Sequence, residues 1–386
     1  MKNIQKKGVL IAFGEMFLKS DSVRKFFKQK LVDSLVLAVK KVDPEAKIVI
    51  LRERVFIQSK NPEKLIPALK NISGTAWLAE VFYFPKFNLT ALGKFVDENY
   101  GDWMKKGEKF AIRLNLQKSA AKDDSQKIIE RLARNINRKV DLKKPDKEIF
   151  VEIKKEGTFL YFKKEKGLGG FPAGASGKIS ILMSGGIDSP VAAHLMLRKG
   201  VNCVWLHFHS FPLVSNKSIE KIKELAEVFK AYQNRLKIYY LPFSKAQVEI
   251  KAKAPANYRI LLYRRLMFRI AEEISAKENC KALATGESLG QVSSQTLPNM
   301  NIIEESVKIP VLRPLIVMDK QEITDLAKKI GTYDISIKPQ EDCCTLFTPK
   351  HSTAEGKLED VKKMEKKLNI KKIIRETIKE TKIVVI

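Results

Sequence analysis

The sequence predicts an α/β protein in which a C-terminal doubly wound parallel sheet follows a smaller α+β part. Three observations predict it. From Gly177 onward, short apolar runs suited to buried strands alternate with longer stretches of helical periodicity. Residues 1–75 instead order their elements as strand, helix, two strands, helix. Between these regions lies Gly167-Leu168-Gly169-Gly170-Phe171-Pro172-Ala173-Gly174, a glycine-rich joint.

In the first block, residues 1–75, Val9–Phe13 reads as a strand and Ser22–Lys41 as an amphipathic helix. Ala46–Leu51 and Arg54–Gln58 form a hairpin, and Pro62–Lys70 a short helix. That order is ferredoxin-like. In the second block, residues 76–172, Val81–Phe84 and Lys109–Leu116 read as strands and Leu89–Tyr100 as a helix. Asp123–Asn137 is helical, with Asp123 or Asp124 as its N-cap. Phe150–Lys154 and Thr158–Phe162 pair around Glu156-Gly157. Lys118, Lys122, Arg131, Arg134, Arg138, Lys139, Lys143 and Lys144 make this block basic, either as an RNA contact or as a solvated helix face. The third block, residues 173–386, places strands at Ile179–Met183, Val201–His207, Lys237–Leu241 and Lys281–Thr285. Helices fall at Pro190–Arg198, Ser218–Gln233 and Tyr258–Lys277.

Composition narrows the function. In 386 residues, 72 Lys and Arg face 44 Asp and Glu, a formal net charge of +28. Such a field attracts polyphosphates and nucleic acid. A hydrophobic content of 44% excludes wholesale disorder. No apolar run is long enough for a membrane span, and the start lacks the features of a signal peptide. Four cysteines make no disulfide framework, so a cytoplasmic location with reduced thiols is expected. Cys203 lies in an apolar strand and Cys280 just before another.

Ser184-Gly185-Gly186-Ile187-Asp188-Ser189 follows the first strand of the third block and precedes a helix. Two glycines let the backbone turn tightly and bring N–H groups close to a phosphate. Ser184 and Ser189 add hydroxyls, and the helix start adds partial positive charge. Pro190 suits the first helical turn. Asp188 either holds a cation such as Mg²⁺ or caps the helix. The Gly-Lys-Ser/Thr ending of a Walker A loop is absent. The string resembles the pyrophosphatase-loop (PP-loop) signature, Ser-Gly-Gly-x-Asp-Ser, of the adenine nucleotide alpha hydrolase-like fold. The resemblance implies cleavage of ATP between its α and β phosphates, with the loop holding pyrophosphate as the leaving group.

In a doubly wound sheet, ligands sit beyond the carboxyl ends of the strands. Leu182 and Met183 end the first strand, and His207, Phe208, His209 and Ser210 end the second. They can supply an apolar slot and backbone partners for adenine. His207 is a general base, a strand-end packing residue or an adenine contact. Arg264 and Arg265 share a helix, and one of them can reach a phosphate or be a solvated arginine. Thr285–Thr296 is a small polar run that suits a site loop.

These strings resemble the tRNA uridine 4-sulfurtransferase (tRNA 4-thiouridine synthetase, ThiI) family. Val140-Asp141-Leu142, Gly167–Gly174, Ile181–Ala192, His207–Ser210, Thr285–Thr296, Arg313-Pro314-Leu315 and Glu341–Phe347 carry the resemblance. It implies an N-terminal ferredoxin-like domain, then a THUMP domain that binds RNA, then a PP-loop domain. It implies ATP and Mg²⁺ as cofactors, with no residue assigned as a dedicated metal ligand, and tRNA as the substrate. Uridine 8 would be adenylylated and then thiolated. Leu182, Met183, His207, Phe208, Arg264, Gly286 and Gln295 take the positions of ATP contacts. Ser184, Gly185, Gly186, Asp188 and Ser189 form the pyrophosphate loop. Lys320 falls where the family has a lysine needed for adenylylation, though a surface lysine near a helix start would look the same. Cys344 takes the position of the catalytic thiol, with Cys343 as the alternative. A cysteine desulfurase or another sulfur donor, a thiamin sulfur-carrier protein and a second copy of the chain are the implied partners.

The chain departs from the family in places. Where members often read Arg-Tyr-Gly-Glu-Ile-x-Leu-Lys-Gly, this one reads Ala12-Phe13-Gly14-Glu15-Met16-Phe17-Leu18-Lys19-Ser20. Phe13 replaces an expected arginine of the RNA footprint. Leu116-Gln117-Lys118-Ser119 replaces a Lys-x-Phe-Pro stretch. The sequence ends at Ile386 without the rhodanese domain of some members, and it has no Cys-x-x-Cys, against an iron–sulfur variant. Two other functions compete. One is a different PP-loop enzyme, for tRNA 2-thiolation or small-molecule amidotransfer. The other is a non-catalytic tRNA-binding protein.

Overall fold

A computed structural model describes residues 6–14, 20–52, 54–121, 123–339, 347 and 352–386. The chain forms two compact units, Met1–Pro172 and Ala173–Ile386.

The first unit runs β1 (Lys6–Phe13), α1 (Asp21–Val42), β2 (Lys47–Ile50), β3 (Arg54–Gln58), α2 (Pro62–Leu69), β4 (Thr75–Phe84), α3 (Leu89–Trp103), β5 (Phe110–Leu116), α4 (Ser125–Ala133), β6 (Lys147–Lys154), β7 (Gly157–Tyr161) and β8 (Glu165–Lys166). Its sheet has the order β2-β3-β1-β4-β7-β6-β5, with β8 beside β4. Only β5 and β6 run parallel among these pairs, and the rest are antiparallel. β4 begins six residues before the expected Val81, because its first half pairs with β1. The strand therefore joins the ladder of the first block to β7 of the second. α4 starts at the cap Asp124, whose carboxylate accepts from the Lys127 N–H at 2.8 Å. Its Ile128 and Leu132 bury against Phe110, Ile149 and Val151.

The second unit runs β9 (Lys178–Leu182), α5 (Asp188–Arg198), β10 (Asn202–His209), α6 (Lys217–Phe229), β11 (Lys237–Pro242), α7 (Ser244–Lys253), α8 (Arg259–Lys277), β12 (Leu283–Ala284), α9 (Leu297–Glu304), β13 (Val311–Leu312), α10 (Lys320–Ile330), α11 (Tyr333–Ser336), α12 (Leu358–Glu365), α13 (Ile370–Lys379) and β14 (Lys382–Val385). The sheet order is β13-β12-β9-β10-β11-β14, parallel except for the antiparallel edge strand β14. Its strands read as unbroken apolar runs because both faces are covered. Leu182, Val204, Leu206 and Phe208 bury toward α7, α8 and α13. Ile179, Ile181, Met183, Cys203 and Trp205 bury toward α5, α6 and α10 on the other face. Cys203 is core, and burial pushes its thiol pKa up. The doubly wound parallel sheet is thus present in full.

Candidate nucleotide site

The loop Ser184–Ile187 joins β9 to α5 at the carboxyl edge of the sheet. Gly185 adopts φ +82°, a left-handed conformation in which a side chain would be strained. The Ser184 N–H donates to the Ser189 hydroxyl at 3.1 Å, and the Gly186 N–H donates to the Ser184 hydroxyl at 3.3 Å. The two hydroxyls lie 3.2 Å apart. The loop is therefore folded on itself by its serines.

α5 begins without a side-chain cap, because its cap residue is Ile187. Asp188 does not fill that role. Its Oδ1 accepts from the Lys320 ammonium at 2.8 Å, and its Oδ2 accepts from the Gln291 amide at 3.2 Å. Neither bond goes to the first turn of α5, whose backbone N–H groups and partial positive charge are the features that can receive an anion. Lys320 opens α10, behind the capping box of Asp319 and Glu322. Its expected place at a helix start is met, and its ammonium sits on the loop's own acid.

Gly286 follows β12 and lies against the same helix start. A Cβ there would stand 2.8 Å from the Ser189 nitrogen and 2.9 Å from the Asp188 carbonyl carbon. Next to it, Ser288 donates its N–H to the Gln295 side-chain oxygen at 3.2 Å, and the Gly290 N–H donates to the Gln295 carbonyl at 2.9 Å. Gln295 therefore closes the 288–295 loop on itself. The Ser288 hydroxyl donates to the Met318 carbonyl at 3.1 Å, which ties this loop to the turn that carries Lys320.

Leu182 and Met183 bury on opposite faces of the sheet, with the Met183 N–H bonded to the Leu206 carbonyl at 2.9 Å. His207 is 1% exposed. Its Nδ1 lies 2.8 Å from the Met183 carbonyl and its Nε2 3.3 Å from the Ser218 hydroxyl. A carbonyl only accepts, so Nδ1 carries the proton and Nε2 accepts from Ser218. Burial lowers its pKa to about 4, which keeps the ring neutral. Both nitrogens are thus engaged by the protein, an arrangement of packing rather than of a general base. Phe208 faces the other side, edge-on to Phe243 with centroids 5.4 Å apart.

The two adjacent arginines separate sharply. Arg265 is 1% exposed and pairs with Glu365 and Glu305, each at 2.9 Å, and with the Ile302 carbonyl. It is a structural clamp and reaches no phosphate. Arg264 pairs with Glu287, a 2% exposed carboxylate that Arg313 also grips. Sequence reasoning missed Glu287, Gln291 and Arg313 as partners. The available signal was an acid directly after the strand-end glycine, with arginines in the neighbouring strings.

Cys343 and Cys344 lie outside the described residues, as does Lys122 of the basic block. Among the described residues no group of three His, Cys, Asp or Glu side chains is placed to hold a metal. No described helix is long and apolar enough to cross a membrane. In the first unit, part of the expected basic face serves the fold. Arg131 pairs with Asp97 at 3.2 Å, and Arg138 donates to the Lys105 carbonyl at 2.9 Å and lies over the Tyr100 ring. Phe13 is buried, and residue by residue the arginine of the family stretch falls not on Phe13 but on Ala12, which is buried too. A concavity of about 210 Å³ in this unit is lined by Leu51, Arg52, Arg54, Gln117, Lys154, Glu156 and Phe159.

Three family models match the chain in order. The ThiI ferredoxin-like domain covers residues 8–79, the THUMP domain 92–163, and the model described as Thiamine biosynthesis protein (ThiI) 174–370. A curated relative, "Probable tRNA sulfurtransferase" of Caldanaerobacter subterraneus subsp. tengcongensis, is 38% identical over 374 residues, 95% of this chain and 96% of that one. One of the same description from Moorella thermoacetica is 36% identical over 387 residues, 98% of this chain and 97% of the other. The crystal structure of a 4-thiouridine synthetase–RNA complex with bound ATP superposes with a TM-score of 0.89 at 31% identity, covering 99% of this chain and 100% of that one.

Proposed function

The chain belongs to the ThiI family and is a tRNA sulfurtransferase that thiolates tRNA at the expense of ATP, and from that premise we propose the division of labour among its residues. The uridine 8 O4 attacks the α-phosphorus of ATP, the bond to the β-phosphate oxygen breaks, and pyrophosphate leaves. The terminal sulfur of a persulfide then attacks C4, and AMP departs. A second thiol attacks the inner sulfur and forms a disulfide with it, which leaves the S–S electron pair on the sulfur now bonded to C4. Residues 1–75 and 76–172 grip the tRNA, and residues 173–386 carry the chemistry.

One observation carries the first step. The uncapped start of α5, reached through Ser184-Gly185-Gly186, holds an acid that already binds a lysine from a distant helix. The backbone amides and the hydroxyls of Ser184 and Ser189 take the departing pyrophosphate. Lys320 neutralises charge that develops on the phosphates. Leu182, Met183, His207 and Phe208 shape the adenine slot, with Gly286, Gln295 and Arg264 at its second wall. Mg²⁺ fits this set: it is commonly held by one or two carboxylates together with substrate phosphates, and Asp188 is such a carboxylate. When bound it would supply charge neutralisation beside the phosphates.

Cys344 receives sulfur as a persulfide from a cysteine desulfurase or another donor. The matched family's description names thiamine biosynthesis, and the proposal extends to sulfur relay toward a thiamin sulfur-carrier protein. Support for the RNA grip is the net charge of +28 and the arginine- and lysine-lined concavity of the first unit.

The test is nucleoside mass spectrometry of tRNA incubated with the full chain, ATP and sulfide, alongside release of AMP and pyrophosphate from labelled ATP. Asp188→Ala should abolish AMP release and leave the tRNA gel shift intact. Thiolation at the normal rate in that variant would refute the assignment. Cys344→Ser and Cys343→Ser assign the thiol when sulfur is supplied through a desulfurase.

A further inference from the structure

A buried charge must be paired from every side, and Glu287 shows how completely. Its Oε1 accepts from the Arg264 guanidinium. Its Oε2 accepts from Arg313 Nε at 2.9 Å and from the Thr285 hydroxyl at 2.9 Å. Burial alone would raise its pKa, but Arg264 and Arg313 outweigh that and hold the carboxyl below its ordinary value. Glu287 is therefore a fixed negative charge. Arg313 is anchored in turn by Glu304 at 2.5 Å. Arg264 is confined from a second direction, lying over the Phe268 ring at 5.6 Å.

The neighbours of Glu287 decide what this cluster can do. Gly286 packs on the backbone of Asp188 and Ser189, and Ser288 bonds both Gln295 and the Met318 carbonyl before Lys320. Three consecutive residues thus connect the phosphate loop, the Arg264–Arg313 pair and the lysine-bearing turn. A long guanidinium side chain loses much rotamer freedom when it grips a ligand, and a buried partner removes that freedom beforehand.

We propose that Glu287 is a positioning residue of the adenylylation step, which holds Arg264 in the orientation that meets ATP and fixes the Gly286–Ser288 turn against the phosphate loop. This rests on the reading of Arg264 as an ATP contact. Glu287 acts through Arg264 and touches no reacting atom itself.

The experiment uses the full chain with tRNA and measures AMP formation as ATP is varied, for the natural sequence, Glu287→Gln, Arg264→Gln and the double variant. Glu287→Gln should raise the KM for ATP about tenfold with kcat within about threefold, and the tRNA gel shift should not move. The double variant should be no worse than Arg264→Gln alone, because two residues in one chain of action do not add. An unchanged KM for ATP overturns the proposal. So do multiplicative effects, or a parallel fall of ATP and tRNA affinity, which is what a merely structural carboxylate would give. If Glu287→Gln does not fold, Thr285→Val decides, because it removes one donor to the same carboxylate, at Oε2, the oxygen opposite Arg264. A rise in the KM for ATP of about twofold or more supports the proposal, and no rise overturns it. Absence of AMP formation by the natural sequence with tRNA would instead sink the thiolation reading, and the positioning role with it.

Discussion

Gly286→Ala is the sharpest probe of how the site is assembled. The added methyl would sit 2.8 Å from the Ser189 nitrogen and 2.9 Å from the Asp188 carbonyl carbon. Ordinary contact begins at 3.4 Å, so the shortfall is about 0.6 Å against the backbone of the Asp188–Ser189 peptide. No flexible side chain can yield there. Either the 285–288 turn or the start of α5 must move. Overpacking of this kind costs about 1–3 kcal/mol, which a chain of this size can survive folded. The catalytic loss should be larger. Displacement of reacting groups by an ångström costs on the order of 100-fold in rate, and half that shift still disturbs a loop meant to meet the phosphates. AMP formation should therefore fall by about ten- to a hundredfold while the melting temperature drops only a few degrees. Gly101→Ala is the control. It lies in α3 with no atom within 4 Å of the new methyl, and an alanine in a helix interior is favoured by about 1 kcal/mol. That variant should keep full activity and melt no lower. Full activity in Gly286→Ala would refute the claim that this contact sets the loop.

Three further outcomes follow from the same structure. Lys320→Met should lower AMP formation about 100-fold, yet change the urea midpoint little, since the lysine side chain is 53% exposed and such pairs contribute less than about 1 kcal/mol. Arg265→Met should do the reverse. It removes the buried cation that joins Glu365 to Glu305, leaving Glu365 with Arg269, Glu305 with Lys362, and the Ile302 carbonyl without this donor. The cost is about 3 kcal/mol in chemical denaturation, and an unmoved midpoint would contradict the clamp. Stability should also fall between pH 6.5 and pH 4. Burial lowers the pKa of both His207 and His194 to about 4, so the unfolded chain binds protons in that window and the folded one does not. The stabilisation is present above pH 6.5 and is lost as pH drops through the window, by about 2 kcal/mol per histidine at pH 5. His194→Phe, which keeps the edge-on packing against Tyr232, should flatten the slope by about half.

What the sequence disclosed depended on whether the signal was local. The parallel strands were readable because burial on both faces makes them continuous apolar runs, as in Ile179–Leu182 and Val204–Phe208. The strand–loop–helix setting of Ser184–Ser189 was readable because glycines, hydroxyls and a helix start fall within six residues. By contrast, Glu287 meets Arg264 and Arg313 across 23 and 26 residues, and no pattern pairs them in advance. Arg264 and Arg265 are adjacent, so they point about 100° apart on the helix, and only packing shows that the second faces the core. β13 is two residues long, too short for any periodicity. The front half of β4, Thr75–Glu80, does not alternate, and it becomes a strand through its pairing with β1. Cys344, the residue on which sulfur delivery turns, lies outside the described residues, so its position rests on the family resemblance.

The helix starts of this chain also argue for what α5 does. α3 opens on Asn88, α4 on Asp124, α10 on Asp319 and α13 on Asn369, and each of these side chains accepts a backbone N–H of its own first turn. A cap of that kind contributes about 1 kcal/mol. α5 starts from Ile187 instead, and the acid one residue later bonds Lys320 and Gln291 rather than the helix. Among the described residues, α1, α2, α6, α7, α8, α9, α11 and α12 also start without such a bond, and α5 is the uncapped helix preceded by Ser184-Gly185-Gly186. A capping carboxylate would occupy the N–H groups and repel a phosphate. In the proposed reaction, leaving them to an incoming anion would convert the cost of an open helix end into affinity for pyrophosphate, with the positive end of the helix placed where negative charge appears as the α–β bond of ATP breaks. An open helix end is common in this chain, and what sets α5 apart is the glycine loop before it and the first-turn acid held away from the helix by Lys320 and Gln291.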